Sequence, residues 1–297
     1  DMGADVVKVE NPDGGDTMRA WPPLNEGFSE NFASLNRNKR SVTLDLQQPE
    51  GQRLARELAL QSDVVIQNFK FGGIAKMGLD YDTLAAERPG IVYCSITGYG
   101  QTGPWAQRAG HDLNYMALSG ALDQCRSLSG EPAMANVQWG DLAGGSSPAC
   151  IAILAAMQAA QRTGQAQHVD VSMTHALHAH LVMPQSTAPL LQPLLGHAPG
   201  AGEDMLNGAL PCYRLYRTAD DRWLAVGALE LKFWRLCCEA WGRPDWADRH
   251  WQRGLLPNSA DSNALRDKVA ALIAAQPLSH WADVFDKVDA CVTPVLT

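Results

Sequence analysis

Residues 91–100, IVYCSITGYG, pass from an apolar, β-branched run directly into glycine. A short run of this kind, bounded by turn residues, reads as a fully buried strand. The overlapping stretch SITGYGQTGP, residues 95–104, then reads as a glycine-rich turn at the strand's carboxyl end. It lacks the lysine of a phosphate-binding loop and is not taken as a dinucleotide fingerprint. Open sheets bind their ligands at the carboxyl ends of their strands, so this turn is a place to look for a site.

Working outward, ADVVKVE (4–10), SVTLDL (41–46), SDVVIQNF (62–69) and HVDVSM (168–173) have the same character. Helix candidates lie between them, such as PEGQRLARELALQ (49–61), with Pro49 suited to a first turn. Near-continuous apolar strands separated by helices predict one parallel sheet covered on both faces, an α/β fold. The stretch from Asp141 to Thr163 reads as a long alanine-rich helix closed by Gly164.

The pattern changes after residue 182. MPQSTAPLLQPLLGHAPGAGEDMLNG (183–208) reads as a Pro- and Gly-rich connection. CYRLYRT (212–218) and RWLAVGA (222–228) read as a hairpin around ADD, followed by helical segments. The predicted organisation is a large domain over 1–182, a linker over 183–213 and a smaller α+β domain over 214–297.

Composition narrows the function. The 297 residues are 46% hydrophobic and carry a net charge of −8, which supports a full core and argues against a nucleic-acid partner. No unbroken apolar run reaches about 18 residues, so no membrane span is expected. Seven scattered cysteines without CxxC spacing read as reduced thiols, and with no signal peptide a cytoplasmic location is expected.

The densest group of chemistry-bearing residues is Gly110, His111, Asp112, Asn114 and Tyr115, followed by Gly140-Asp141 with Gly144-Gly145 behind. Asp112 is placed to N-cap its helix, leaving His111 without a capping duty. Asp141 either caps the long helix or faces His111 across a site where a proton leaves a carbon and returns. Free amides at that helix start would hold an oxyanion. Arg37, Lys39, Arg40, Lys70 and Lys76 read as a solvated charged face. His175, His178 and His180 in THALHAHL lack the rest of a zinc spacing and read as packing or surface residues, so no metal is expected. No GxSxG elbow occurs, which removes the commonest serine-hydrolase reading.

These landmarks together resemble the class III CoA-transferases and their close relatives, the alpha-methylacyl-CoA racemases. The resemblance runs through GADVVKVE, LNRNKRSVTLDL, SDVVIQNF, GYGQTGP, GHDLNY, GDLAGG, VDVSM, YRTADDRWLAVGALE and DACVTPVL. It implies a Rossmann-like CoA domain with a smaller α+β domain, assembled as an interlocked homodimer. It also implies that the family's opening strand and helix, and its C-terminal return segment, lie outside this chain. By resemblance, Asp141 matches the aspartate used as nucleophile by transferases and as acid/base by racemases. Histidine at position 111 resembles the racemase branch, where transferases carry an aromatic residue. GALE resembles the racemase segment whose glutamate partners that histidine, which gives Glu230 the role. Leu44, Asp45, Leu46 and Gln47 would line the adenine end of CoA, Lys70 and Lys76 would approach its phosphates, and Gly110, Asp112, Asn114 and Tyr115 would flank the thioester. Asn11, FKFGG (69–73) and His175 depart from the racemase pattern.

The implied activity is racemisation of 2-methylacyl-CoA thioesters in lipid metabolism, with no cofactor beyond the CoA of the substrate. The alternative is CoA transfer between carboxylic acids through an acyl-aspartyl intermediate on Asp141. A third possibility is a CoA-thioester binder without turnover.

Overall fold

The structure is a computed structural model that describes residues 2–127 and 130–297. The chain divides into two compact units, Asp1–Ser119 with Val137–Ala179, and Gly120–Asn136 with His180–Thr297. The first unit opens with β1 (Val6–Glu10), a small hairpin of β2 (Leu24–Asn25) and β3 (Phe28–Ser29), α1 (Glu30–Asn36) and β4 (Lys39–Thr43). Then come α2 (Pro49–Gln61), β5 (Val64–Gln67), α3 (Tyr81–Glu87), β6 (Val92–Thr97) and α4 (Asp112–Ser119). The chain crosses to the second unit for α5 (Ala121–Gln124) and returns for α6 (Trp139–Asp141), α7 (Ser147–Thr163), β7 (Gln167–Ser172) and α8 (Met173–Ala179).

Strands β5, β6 and β7 form a parallel sheet in that order, with Val92 opposite Val64 on one side and Gln167 on the other. Alternation along β6 decides the layers. Val92 and Cys94 face α7, which presents Ala149, Ile153, Ala156 and Ala160 at helical spacing. Ile91 and Tyr93 face the opposite way, towards Ala59 of α2 and Leu84 of α3. Both faces are therefore covered, as a parallel sheet requires.

All five strands expected in this region form and pair in parallel, but in two sheets and not one: β1 with β4, and β5–β6–β7. The difference tracks burial. Val92 through Ser95 are sealed between helices, whereas β4 is mostly exposed and β1 is half-buried over Val7–Val9, and little apolar cover draws them into the larger ladder.

The long helix also differs. It begins at Trp139, passes through a π turn at Leu142–Ser146 and continues as α7. Over Trp139–Thr163 it is long and apolar enough, by length and composition alone, to cross a membrane. Gly140, Asp141, Gly144, Gly145 and the serines interrupt the apolar run, so no unbroken span is visible in the sequence. Its sheet-facing side is buried, while Ile151 and Leu154 on another side are exposed.

The second unit continues with α9 (Val182–Leu195), β8 (Tyr213–Arg217), β9 (Trp223–Gly227), α10 (Leu231–Ala240), α11 (Ala260–Ile273), α12 (Leu278–Phe285) and β10 (Val292–Pro294). Much of the expected connection is thus helix, despite Pro189 and Pro193 inside α9. The stretch 182–195 is rich in leucine and has no glycine until Gly196 closes it in the left-handed conformation. The hairpin of β8 and β9 forms, and β10 joins it antiparallel. Its core holds Trp234, Trp246 and Trp281; the indoles of Trp234 and Trp281 donate to the carbonyls of Trp246 and Ile273. Cys237 and Cys238 are both fully buried there.

Candidate active site

The site is built where α4, α6 and α8 meet in the first unit. Helix α4 begins at Asp112, so His111 occupies the cap position. The His111 carbonyl accepts from the Asn114 and Tyr115 amides at 2.8 and 3.2 Å. The Asn114 side chain accepts from the His111 amide at 3.1 Å. This reverses the expectation from sequence: His111 has the capping duty, and Asn114 at N3 closes the box. The Asp112 carboxylate is freed for another partner. It accepts the backbone N–H of Asp141 at 3.0 Å, across 29 residues of chain.

That contact corrects a second expectation. Asp141 is the last residue of the short α6 and not the start of a helix, and its amide is already committed to Asp112. The amide is therefore not a free donor for an oxyanion. Immediately after Asp141 the chain enters the π turn, a one-turn irregularity that recurs at functional sites. Ser146 Oγ donates to the Asp141 carbonyl at 3.0 Å and ties the turn back on itself.

Glycine is required at two positions. A Cβ on Gly140 would stand 2.7 Å from Asp112 Oδ1, and one on Gly144 would stand 2.6 Å from the Met173 carbonyl oxygen. Without side chains there, α4 and α8 close onto the π turn and fix the direction of Asp141.

The Asp141 side chain is exposed, yet its carboxyl is pushed above the ordinary carboxylate range. Partial desolvation by the surrounding protein is the larger cause, the Asp112 charge adds to it, and His111 opposes it. His111 is thus near enough to act on Asp141 electrostatically. Desolvation also pushes the Tyr115 hydroxyl up, with Tyr99, Asp141 and Asp112 contributing. Tyr115 donates to the Gly110 carbonyl and meets Tyr99 edge-on, ring centroids 5.4 Å apart. His111, Asp141, Asp112, Gly110, Asn114 and Tyr115 are therefore gathered in one place.

The glycine-rich turn after β6 is held by Gly100 N–H donating to Thr97 Oγ1 and Gln101 N–H donating to Asp170 Oδ2 on β7, both at 2.9 Å. Gly98, Gly100 and Gly103 do carry the G-x-G-x-x-G spacing. What separates the turn from the dinucleotide fingerprint is its sequel, because no helix begins until Asp112. A cleft of about 430 Å³ opens beside this turn, between Tyr99, Trp105, Leu118, Thr174, His175 and His178. It was not visible in the sequence, since its walls come from three separated segments. Neither His111 nor Asp141 lines it.

The other expected binding residues are dispersed. Leu44 to Gln47 form the loop from β4 to α2, where the Leu44 amide donates to the Glu10 carbonyl and the Gln47 amide to Asp45 Oδ1, each at 2.9 Å. Lys70 and Lys76 are exposed after the carboxyl end of β5, and neither has an acidic partner among the described residues. Their turn is steered by a polar chain across the sheet. Gln67 accepts from the Phe69 amide at 2.7 Å and donates to Ser95 Oγ at 2.9 Å, and Ser95 contacts His168 Nε2 at 3.0 Å. Ser95 Oγ accepts from Gln67 and is shared with His168, whose tautomer sets which of the two donates. Glu230 is the exposed N-cap residue of α10 in the second unit, electrostatically close to His250 and Cys291. Among the described residues no three His, Cys, Asp or Glu side chains converge as a metal-holding group.

The model of CoA-transferase family III matches residues 1–297. The chain belongs to CoA-transferase family III. Within that family it is 36% identical to the human alpha-methylacyl-CoA racemase over 304 residues, spanning all of this chain and 72% of that protein. It is 47% identical over 180 residues to a succinate–glutarate CoA-transferase of Agrobacterium fabrum, covering 58% of this chain and 45% of that one. Among solved structures, a CAIB/BAIF family protein from Brucella suis superposes over the whole chain and 78% of its own, with a TM-score of 0.79 and 31% identity. Family III proteins of both kinds are enzymes acting on CoA thioesters, so the chain is a family III CoA-transferase or racemase with a mixed α/β fold.

Proposed function

We propose that the protein racemises 2-methylacyl-CoA thioesters by moving a proton on and off the α-carbon. His111 removes the α-proton as a base, a role in which the family resemblance gives it Glu230 as partner, and the electron pair passes into the thioester carbonyl as an enolate. Asp141, in protonated form, returns a proton to the α-carbon, and the reverse reaction exchanges the roles. The observation that carries this reading is the placement of Asp141 against Asp112, with His111 close enough to act on it, an arrangement that raises the Asp141 pKa. An aspartate that must be a proton donor near neutrality needs its acid form stabilised, and partial desolvation beside Asp112 works in that direction. Leu44 to Gln47, Lys70 and Lys76 hold the CoA portion, Gly110, Asp112, Asn114 and Tyr115 flank the thioester, and no further cofactor takes part. The exposed Ile151 and Leu154 on α7 and Leu190 and Leu194 on α9 support a homodimer, since large apolar patches tend to be covered. Light scattering of the isolated chain is expected to give twice the monomer mass.

The transferase reading is favoured by one observation, the 47% identity to the Agrobacterium transferase. There the Asp141 carboxylate would attack the thioester carbonyl, expel CoA as thiolate and form an anhydride. Incubation of a 2-methylacyl-CoA in deuterated water separates the two. Racemisation incorporates deuterium at the α-carbon as stereochemistry scrambles, and either His111→Ala or Asp141→Ala abolishes the scrambling. Acyl-Asp141 trapped by hydroxylamine without α-deuterium overturns the racemase reading.

A further inference from the structure

The second unit holds a cleft of about 220 Å³, remote in sequence from the residues of the candidate active site. Arg214 and Arg217 of β8, Trp223 of β9, and Arg266 and Asp267 of α11 line it. Three arginines against one aspartate is an unusual balance in a chain of net charge −8.

The partners of each arginine show where charge is left over. Arg217 has Asp221 at 3.2 Å. Arg214 gives its Nη1 to the Gly208 carbonyl, a neutral acceptor. Arg266 makes no hydrogen bond among the described residues, although its side chain is only 25% exposed. Its nearest carboxylate, Asp267 Oδ1 at 3.7 Å, belongs to the next residue of the same helix and is 77% exposed. Consecutive helical residues point about 100° apart, so this pair is poorly aligned. Burial holds the Arg214 guanidinium below its usual range, and Arg266 adds to that effect by repulsion.

Two neighbouring, partly buried guanidinia that repel each other, one without a hydrogen bond and with a single poorly aligned carboxylate, form a positive site that an anion would relieve. The planar fork of arginine fits phosphate oxygens in pairs. The volume is below the roughly 300 Å³ at which pockets for drug-sized molecules begin, which selects a compact ligand. We propose that this cleft binds a small phosphate-bearing anion, of mono- or diphosphate size, between Arg214 and Arg266, with Arg217 adding to the attraction. The site is independent of the reaction assigned to His111 and Asp141.

Calorimetric titration of the whole chain with inorganic pyrophosphate tests this. Saturable binding is expected, weakened about tenfold or more by Arg266→Gln and partly recovered in Arg266→Lys, which restores charge without the fork. Arg217→Gln, on an exposed side chain, should weaken binding less and serves if Arg266→Gln fails to fold. Free CoA as competitor identifies the source: displacement of pyrophosphate makes the bound group a nucleotide phosphate, and no displacement makes it a free phosphate. The proposal is overturned by an absence of saturable heat at millimolar pyrophosphate, or by equal affinity in wild type and in both glutamine variants. Sedimentation with phosphatidic acid vesicles through Arg266, without pyrophosphate binding, overturns it in favour of a lipid surface.

Discussion

Gly140→Ala is the sharpest test of how the site is assembled. The new Cβ would stand 2.7 Å from Asp112 Oδ1, 3.1 Å from the Asp112 carbonyl oxygen and 3.2 Å from its Cα. Two of those atoms are backbone, so a side-chain rotation cannot relieve the crowding. The first turn of α4 must move away from α6, and the Asp141 N–H bond to Asp112 spans that gap at 3.0 Å. A hydrogen bond to a charged group contributes about 1.5–3 kcal/mol, and the exposure of Asp141 puts this one near about 1.5. Overpacking adds about 1–3 kcal/mol, for a total loss of about 2.5–4.5 kcal/mol. In a unit of this size that lowers the melting midpoint by about 5–18 °C. Displacing Asp141 by about 1 Å should lower turnover by about 100-fold. Gly90→Ala is the matched control. No atom lies within 4 Å of its added Cβ and its φ is ordinary, so it should be neutral or stabilise by about 0.4–1 kcal/mol. Thermal unfolding followed by circular dichroism, with the deuterium-exchange rate, reads both. Equal midpoints for the two variants, with Gly140→Ala keeping wild-type turnover, would refute the account of α4 and α6.

Asp112→Asn keeps an oxygen for the Asp141 amide but removes the like charge, so the pKa of Asp141 should fall. The pH–rate profile should show the limb governed by Asp141 shifted to lower pH, and an unmoved limb would remove Asp112 as a cause. Glu10 is held far below the carboxylate range, chiefly by its hydrogen bonds from Arg19 at 2.7 and 2.8 Å, against the opposing cost of burial. Because the folded pKa is depressed, its stabilisation is full above about pH 4.5 and is lost as the pH falls towards the folded value. Urea midpoints should therefore drop on acidification in wild type and change less in Glu10→Gln. Ser95→Ala strands Gln67 and His168, which should cost about 1–3 kcal/mol by denaturant unfolding and raise KM for the CoA thioester more than it lowers kcat.

The parallel strands were legible because β6 is buried on both sides, and a segment such as Ile91–Ser95 has few alternatives. The split into two ladders was not, since pairing depends on cover supplied by distant segments and Val6–Glu10 reads much like Val64–Gln67. His111 and Asp141 were picked out by residue type beside glycine. Their local roles were misread because a cap depends on which residue supplies the first helical carbonyl, and Asn114 decides that from three positions downstream. Asp112 looked like a cap for the same reason, while its real partner lies 29 residues away. The arginine cleft left no motif, since Arg214 and Arg266 meet only after α11 packs on β8.

The π turn at Leu142–Ser146 makes the helix a splice of two phases. Its wider winding accommodates one residue more than an α-turn would, so the alanine face of α7 and the direction of Asp141 obey separate registers. Deleting a single residue between 142 and 146 would restore a continuous α-helix and leave Asp141 in nearly its present direction relative to the sheet-facing stripe, because five residues in the wider turn wind about as far as four in an α-helix. The core packing of Ala149, Ile153, Ala156 and Ala160 would survive such a deletion, and what would be lost is the widened turn that follows the carboxylate. Length in this one turn, as much as residue identity, is what evolution or an engineer could change to remodel the backbone beside the acid without rebuilding the fold.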